Sequence, residues 1–220
     1  MEKELSEMQN LRLELMKKAD FNLAEAEKAY NFIMGTAKPH EYRPDGIYFI
    51  MSADKMIHKS VATITEMNES IAVGVKLGGR FANVMKHESV EGACQLCKDK
   101  EIPDVVNRIA NMSSLRAVAD WDGFENTAIL FPYLSEQIPK HSGQYIPSLA
   151  ELQLLYSHLL DVNVALSMAG GNSLIYGEYW SSSLSACLAW YLDLRNGKSD
   201  DWYVDNEKHI RLSLKMNLDL

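Results

Sequence analysis

Cysteine is scarce in this chain of 220 residues: Cys94, Cys97 and Cys187 are an odd set of three. That excludes a disulfide-dense scaffold and suits a reducing compartment, or a phage particle assembled in one. Long apolar runs are also missing, and none approaches the roughly 18 to 20 residues that span a bilayer, so no membrane insertion is expected. The opening Met1-Glu2-Lys3-Glu4-Leu5-Ser6-Glu7 is acidic and lacks the apolar stretch of a secretory signal, which points to the cytoplasm or a phage virion. Basic charge is short as well, with 22 Lys plus Arg against 30 Asp plus Glu and a net charge of -8. Such a balance gives no general attraction to phosphate backbones and argues against a nucleic-acid partner. No Gly-x4-Gly-Lys-Ser/Thr phosphate loop occurs, since Gly197-Lys198-Ser199 has Leu192 where that pattern needs its first glycine, and His40, His58, His87, His141, His158 and His209 fall in no catalytic motif. What is present is 47% hydrophobic residues, ample for a packed core.

From Glu2 to Met34 there is neither Gly nor Pro, and Leu5, Met8, Leu11, Leu15, Ala19, Leu23, Ala26, Tyr30 and Ile33 recur at helical spacing. The pattern predicts a long amphipathic helix within residues 1–37, about 45 to 50 Å long, with Gly35 as its stop. Such a length suits homo-oligomerisation, a trimer included, or packing of the apolar face against the chain's own domain. A strict heptad would put Arg12 and Asn22 at core positions, which disfavours a perfect coiled coil. Residues 46–87 read as a small antiparallel β unit, with strands at Gly46 to Met51, Val61 to Thr65, Ile71 to Leu77 and Arg80 to Met85. Short helices are expected at Ser89 to Lys98 and Pro103 to Met112. Ser148 and Glu151 form a capping box for a helix reaching about Leu159, and a second helix over Val162 to Met168 ends at Gly170-Gly171. A β-meander follows, over Glu178 to Ser182, Cys187 to Leu194, Trp202 to Val204 and His209 to Lys215, with Asn196-Gly197 in a hairpin turn.

The ordered segments Asp122-Gly123-Phe124-Glu125-Asn126-Thr127, Tyr145 to Leu152, Gly177-Glu178-Tyr179-Trp180-Ser181-Ser182-Ser183 and Ala189-Trp190-Tyr191-Leu192-Asp193, followed by Asn196-Gly197, Lys208 and Arg211, resemble the collagen-like-adhesin C-terminal (Lcl-C) family. The resemblance covers roughly Asp120 to Leu214 and implies an α+β fold with a C-type-lectin-like domain over 88–220. Similar proteins occur in gut bacteria and their phages, and related retroelement-diversified proteins display a variable binding surface on the same scaffold. The chain departs from the family at Arg211-Leu212-Ser213-Leu214, where members commonly carry an Arg-Pro-Val type segment. Calcium-site signatures of sugar-binding C-type lectins are absent, so calcium-dependent sugar coordination is not expected, and neither a metal nor a cofactor is implied.

Alternation in the Cys187 to Leu194 strand sends Leu188, Trp190, Leu192 and Leu194 to a core face, and Cys187, Ala189, Tyr191 and Asp193 to the other. Tyr191 and Asp193 then continue into Arg195, Asn196, Asp200, Asp201, Trp202 and Tyr203 as a candidate ligand-binding surface. Tyr and Trp give large contact area at small entropy cost, and Asp and Asn give adaptable hydrogen bonds. The alternative is that Tyr191 and Trp202 pack beneath a loop. Trp180 with Ser181 to Ser183 reads as structural. Helical spacing of Cys94 and Cys97 suits two small buried hydrophobes on one face. The expected function is non-enzymatic recognition of a surface glycan or protein, borne on a phage tail or a cell surface. Two alternatives are a structural subunit of a phage particle without a host ligand, and a formylglycine-generating type of enzyme using Cys187.

Overall fold

β-branched and aromatic residues alternate through the first strands of the structure, a computed structural model that describes residues 43–88, 90–98, 113–185 and 188–217. Gly46–Ser52 (β1), Lys55–His58 (β2), Ala72–Leu77 (β3) and Arg80–Met85 (β4) form an antiparallel sheet in the order β2-β1-β3-β4. Its register sets Phe49 beside Val73 and Val73 beside Val84, with Ile47, Val75 and Ala82 in the neighbouring row. These side chains share one face, and all are buried. On the opposite face a Cβ at Gly74 would collide with the Phe81 ring, so glycine lets that ring lie across the strand.

Val61 to Thr65, expected as a strand, is instead a turn leading into the helix Ile64–Glu69 (α1). Thr63 N–H donates to Glu66 Oε2 at 2.9 Å and Glu66 N–H to Thr63 Oγ1 at 3.3 Å, a capping box. Satisfying two free amides outweighs the β preference of a short, exposed run. The helix expected over Ser89 to Lys98 is also corrected: it contains the strand Ala93–Gln95 (β5), and Cys97 bridges to Leu134. Here long-range strand pairing overrides local helical spacing. The expected helices over 1–37 and Pro103 to Met112, and Cys187 itself, lie outside the described residues.

The chain continues through Ser114–Ala117 (α2), Gly123–Leu130 (α3), Gln144–Tyr145 (β6), Leu149–Ser157 (α4) and Leu159–Met168 (α5). It closes with Glu178–Ser185 (β7), Leu188–Asp193 (β8), Lys198–Tyr203 (β9), Glu207–His209 (β10) and Ser213–Leu214 (β11). The fold is α+β. A second sheet runs in the order β5-β10-β7-β8-β9 and is antiparallel except between β10 and β7. The expected meander therefore holds from β7 to β9 only. After β9 the chain crosses to the far side of β7, and β11 leaves the sheet to pair with β6.

This second sheet is covered on both faces. Tyr179, Trp190, Leu192 and Leu194 join α4, α5 and the buried face of the first sheet in one core. Trp180, Leu184 and Ala189 face a second core with Cys94, Leu96, Cys97, Leu130, Leu134 and Ile146. Residues 46–87 and 88–220, read from the sequence as separate domains, thus share a core, and Pro44–Leu220 is one compact unit. Among the described residues no helix is long and apolar enough to cross a membrane.

Buried polar groups fix how α3 and α4 meet β7. The register of β7 on β8 shifts between Trp180 and Leu184, and the intervening Ser181, Ser182 and Ser183 are fully buried. Ser181 Oγ donates to Trp190 O at 2.8 Å, Ser183 Oγ donates to Asp120 Oδ2 at 2.5 Å and accepts from Leu149 N–H at 3.0 Å. Asn126 Nδ2 reaches the same Asp120 oxygen at 2.7 Å. The capping box of α4 is present, with Ser148 N–H donating to Glu151 Oε2 at 2.7 Å and Glu151 N–H to Ser148 Oγ at 3.4 Å. Each hydroxyl or carboxylate satisfies main-chain or side-chain groups that a bulged strand and a buried helix start would otherwise strand from water.

Candidate functional site

The β8–β9 hairpin positions most of the residues singled out from sequence. Its turn closes at Gly197, whose φ of 72° lies in the left-handed region and whose Cα abuts the Tyr156 ring, so a side chain there would meet both backbone strain and a steric clash. Asp193 organises the turn: Oδ1 accepts from Arg195 N–H at 2.9 Å and Arg195 Nε at 2.8 Å, and Oδ2 accepts from Arg195 Nη2 and Asn196 Nδ2, each at 2.9 Å. Asn196 Oδ1 in turn accepts from Lys198 N–H at 2.8 Å. The Arg195 guanidinium holds the Asp193 carboxyl below its ordinary range, and Asp193 holds Arg195 above its own.

Asp193 is therefore buried and spoken for, which corrects its expected outward, ligand-facing role. Tyr191 is half-buried: its ring stands edge-on to Trp180, with centroids 6.2 Å apart, and carries Lys208 Nζ at 3.8 Å from its centroid. Lys208 also lies 5.1 Å from the Trp180 ring centroid and donates to Glu178 Oε2 at 2.5 Å. Burial first, then the nearby Glu178, Asp200 and Asp193 carboxylates, push the Tyr191 phenol up. Tyr191 is half-buried because the second core covers the face that alternation assigned to solvent, and Asp193 is covered by the Arg195 and Asn196 side chains of its own turn. A nearly unbroken apolar run such as Leu188-Ala189-Trp190-Tyr191-Leu192 is the usual mark of a strand buried on both sides, and was the available signal.

Register divides the remaining candidates. Tyr191 pairs with Asp200 and Ala189 with Trp202, so Asp200 and Trp202 share the Tyr191 side of the sheet. Asp201 pairs with Trp190 and Tyr203 with Leu188, which places them on the opposite side. Trp202 and Tyr203 are 48% and 53% exposed, on an edge strand where apolar side chains need a reason to face water. Main-chain groups along this edge are partly engaged already: Asp201 N–H donates to Asp200 Oδ1 at 2.9 Å and Asn206 N–H to Tyr203 O at 3.0 Å. The edge thus offers side chains more readily than a free hydrogen-bonding ladder. Glu178, Trp180 and Lys208, which support the patch, were not among the sequence candidates because only the long-range parallel pairing of β10 with β7 brings Lys208 to the other two.

Among the described residues no three His, Cys, Asp or Glu side chains are grouped so as to hold a metal ion. Cys94 and Cys97 are buried in the second core, and burial pushes the Cys94 thiol up to about 11, away from the reactive thiolate. Comparison of the chain with protein-family models, curated proteins and solved structures gives no match.

Proposed function

We propose that the protein is a non-enzymatic recognition module, with a C-type-lectin-like, Lcl-C-like domain that holds a surface glycan or protein ligand on the β8–β9 hairpin. The carrying observation is the exposed Trp202, with Asp200 on the same side of the sheet, on a hairpin whose turn is fixed by Asp193, Arg195 and Asn196. A preordered surface of this kind loses little entropy on binding. Phage-tail or cell-surface display, with homo-oligomerisation through residues 1–37 adding avidity, belongs to the same proposal. Replacing Trp202 and Asp200 together by alanine should lower capture on a glycan and surface-protein array by about tenfold or more, with melting temperature unchanged. Equal capture by the double variant and the parent rejects this site.

A second reading, a structural subunit of a particle, draws on a different feature. Leu160, Val164 and Met168 form an exposed apolar stripe on α5, and Ile64 of the neighbouring α1 is 78% exposed. A helix face with so little charge is unusual in contact with water. Under this reading the full chain sediments as an oligomer, Leu160→Glu with Val164→Glu lowers its mass, and neither protein is captured on the array. A full chain that sediments as a monomer removes it.

A further inference from the structure

Away from the hairpin, a cavity of about 200 Å³ opens between β4, α3, the start of α4 and the chain after β11. Its lining includes the aromatic side chains of Trp121, Phe124 and Tyr145, and the carboxylates of Glu125 and Glu151. Glu151 is 5% exposed. One oxygen accepts from the Tyr145 hydroxyl at 2.7 Å and the other from Ser148 N–H at 2.7 Å. A carboxylate offers about four acceptor positions, so these two bonds leave capacity toward the cavity. Aromatic faces carry partial negative charge and attract cations. The protein's own cations already follow that preference: Lys215 Nζ sits 3.7 Å from the Phe124 ring centroid, and the Arg80 guanidinium carbon 5.0 Å from that of Trp121. Lys215 Nζ is also 3.8 Å from Glu125 Oε1, yet its side chain is 44% exposed, so it caps the mouth without filling the interior.

We propose that this cavity binds the head group of an organic ammonium, primary or methylated, seated against Phe124 and Trp121 with Glu125 and Glu151 as counter-charges, and that Lys215 is a tethered competitor at its mouth. At about pH 8, where Glu151 too is ionised, an anion would face two carboxylates, and a neutral ligand would leave the buried Glu151 without a compensating charge. The described acids and aromatics form no metal-holding group, which favours an organic cation over a metal ion. None of these residues belongs to the β8–β9 surface, so this site and the proposed recognition surface stand or fall separately.

The test is titration of the full chain by NMR with tetramethylammonium chloride, against sodium chloride at matched ionic strength. Lys215→Ala should bind tetramethylammonium about tenfold more tightly than the parent, because the internal competitor is gone. Phe124→Leu in the Lys215→Ala background keeps an apolar wall but removes the π face, and should reverse that gain. Nα-acetyl-lysine methylamide serves as a second probe: binding comparable to tetramethylammonium assigns the site to primary ammonium groups such as lysine side chains, and markedly weaker binding assigns it to methylated ammonium groups. Absence of millimolar tetramethylammonium binding in Lys215→Ala, or full retention of affinity on adding Phe124→Leu, overturns the proposal. Trp202→Ala should leave every one of these titrations unchanged.

Discussion

Replacing Trp180 by alanine is expected to cost about 3 to 5 kcal/mol of folding stability, read as a lowered urea midpoint, while Trp180→Phe costs much less. The ring is fully buried in the second core, donates from Nε1 to Cys94 O at 3.3 Å, and packs edge-on against Tyr191. Alanine would leave a cavity among the paired strands of the second sheet, whose hydrogen-bonded backbone hinders collapse to fill it. It would also remove one of the two rings beneath Lys208, linking core damage to the shape of the candidate surface. A loss below about 1 kcal/mol would show that the second core does not bear on stability as its burial implies. Trp202→Ala is the matching control, since that residue is about half exposed and lies outside both cores.

Glu151 should make the protein less stable as pH rises through the weakly acidic range. Burial raises its carboxyl from 4.5 to about 7, against the opposing pull of Ser148 and Tyr145. Below the lower value both folded and unfolded chains hold the proton. Between the two values the unfolded chain releases it while the folded chain keeps it, so stability declines, by about 3 kcal/mol in all, and levels off above the higher value. Asp193 and Glu66, whose carboxyls are lowered by their partners, act in the opposite sense and at lower pH, where protonation removes their contribution. Urea unfolding of the parent and Glu151→Gln at about pH 5 and about pH 8 isolates the residue, with a flatter profile expected for the variant. Identical pH slopes for the two proteins would mean that Glu151 is ionised alike in both states.

Local chemistry was legible wherever a side chain acts on its own neighbourhood. Ser148 and Glu151 announced the start of α4 and Asn196-Gly197 the turn between β8 and β9, since each depends on residues within one turn of chain. The same reasoning overlooked Thr63 and Glu66, whose capping box was present in the sequence but lost to the β-branched residues around it. For the candidate surface, Trp202, Asp200 and Tyr203 were found from composition and turn position. Their distribution over two sides of the sheet followed only once register was fixed.

By itself, the sequence determined an α+β chain, the capping and turn positions, and the Trp190 and Leu192 face of β8 as core, because these follow from side-chain period and short-range hydrogen bonding. Tertiary structure alone decided that β5 is a strand, that β10 inserts beside β7, and that both faces of the second sheet are covered. Those outcomes rest on pairings between segments far apart in the chain, whose free energy comes from burying Cys94, Trp180 and Ala189 together and leaves no periodic trace in any one segment. The half-burial of Tyr191 is a consequence of that second core.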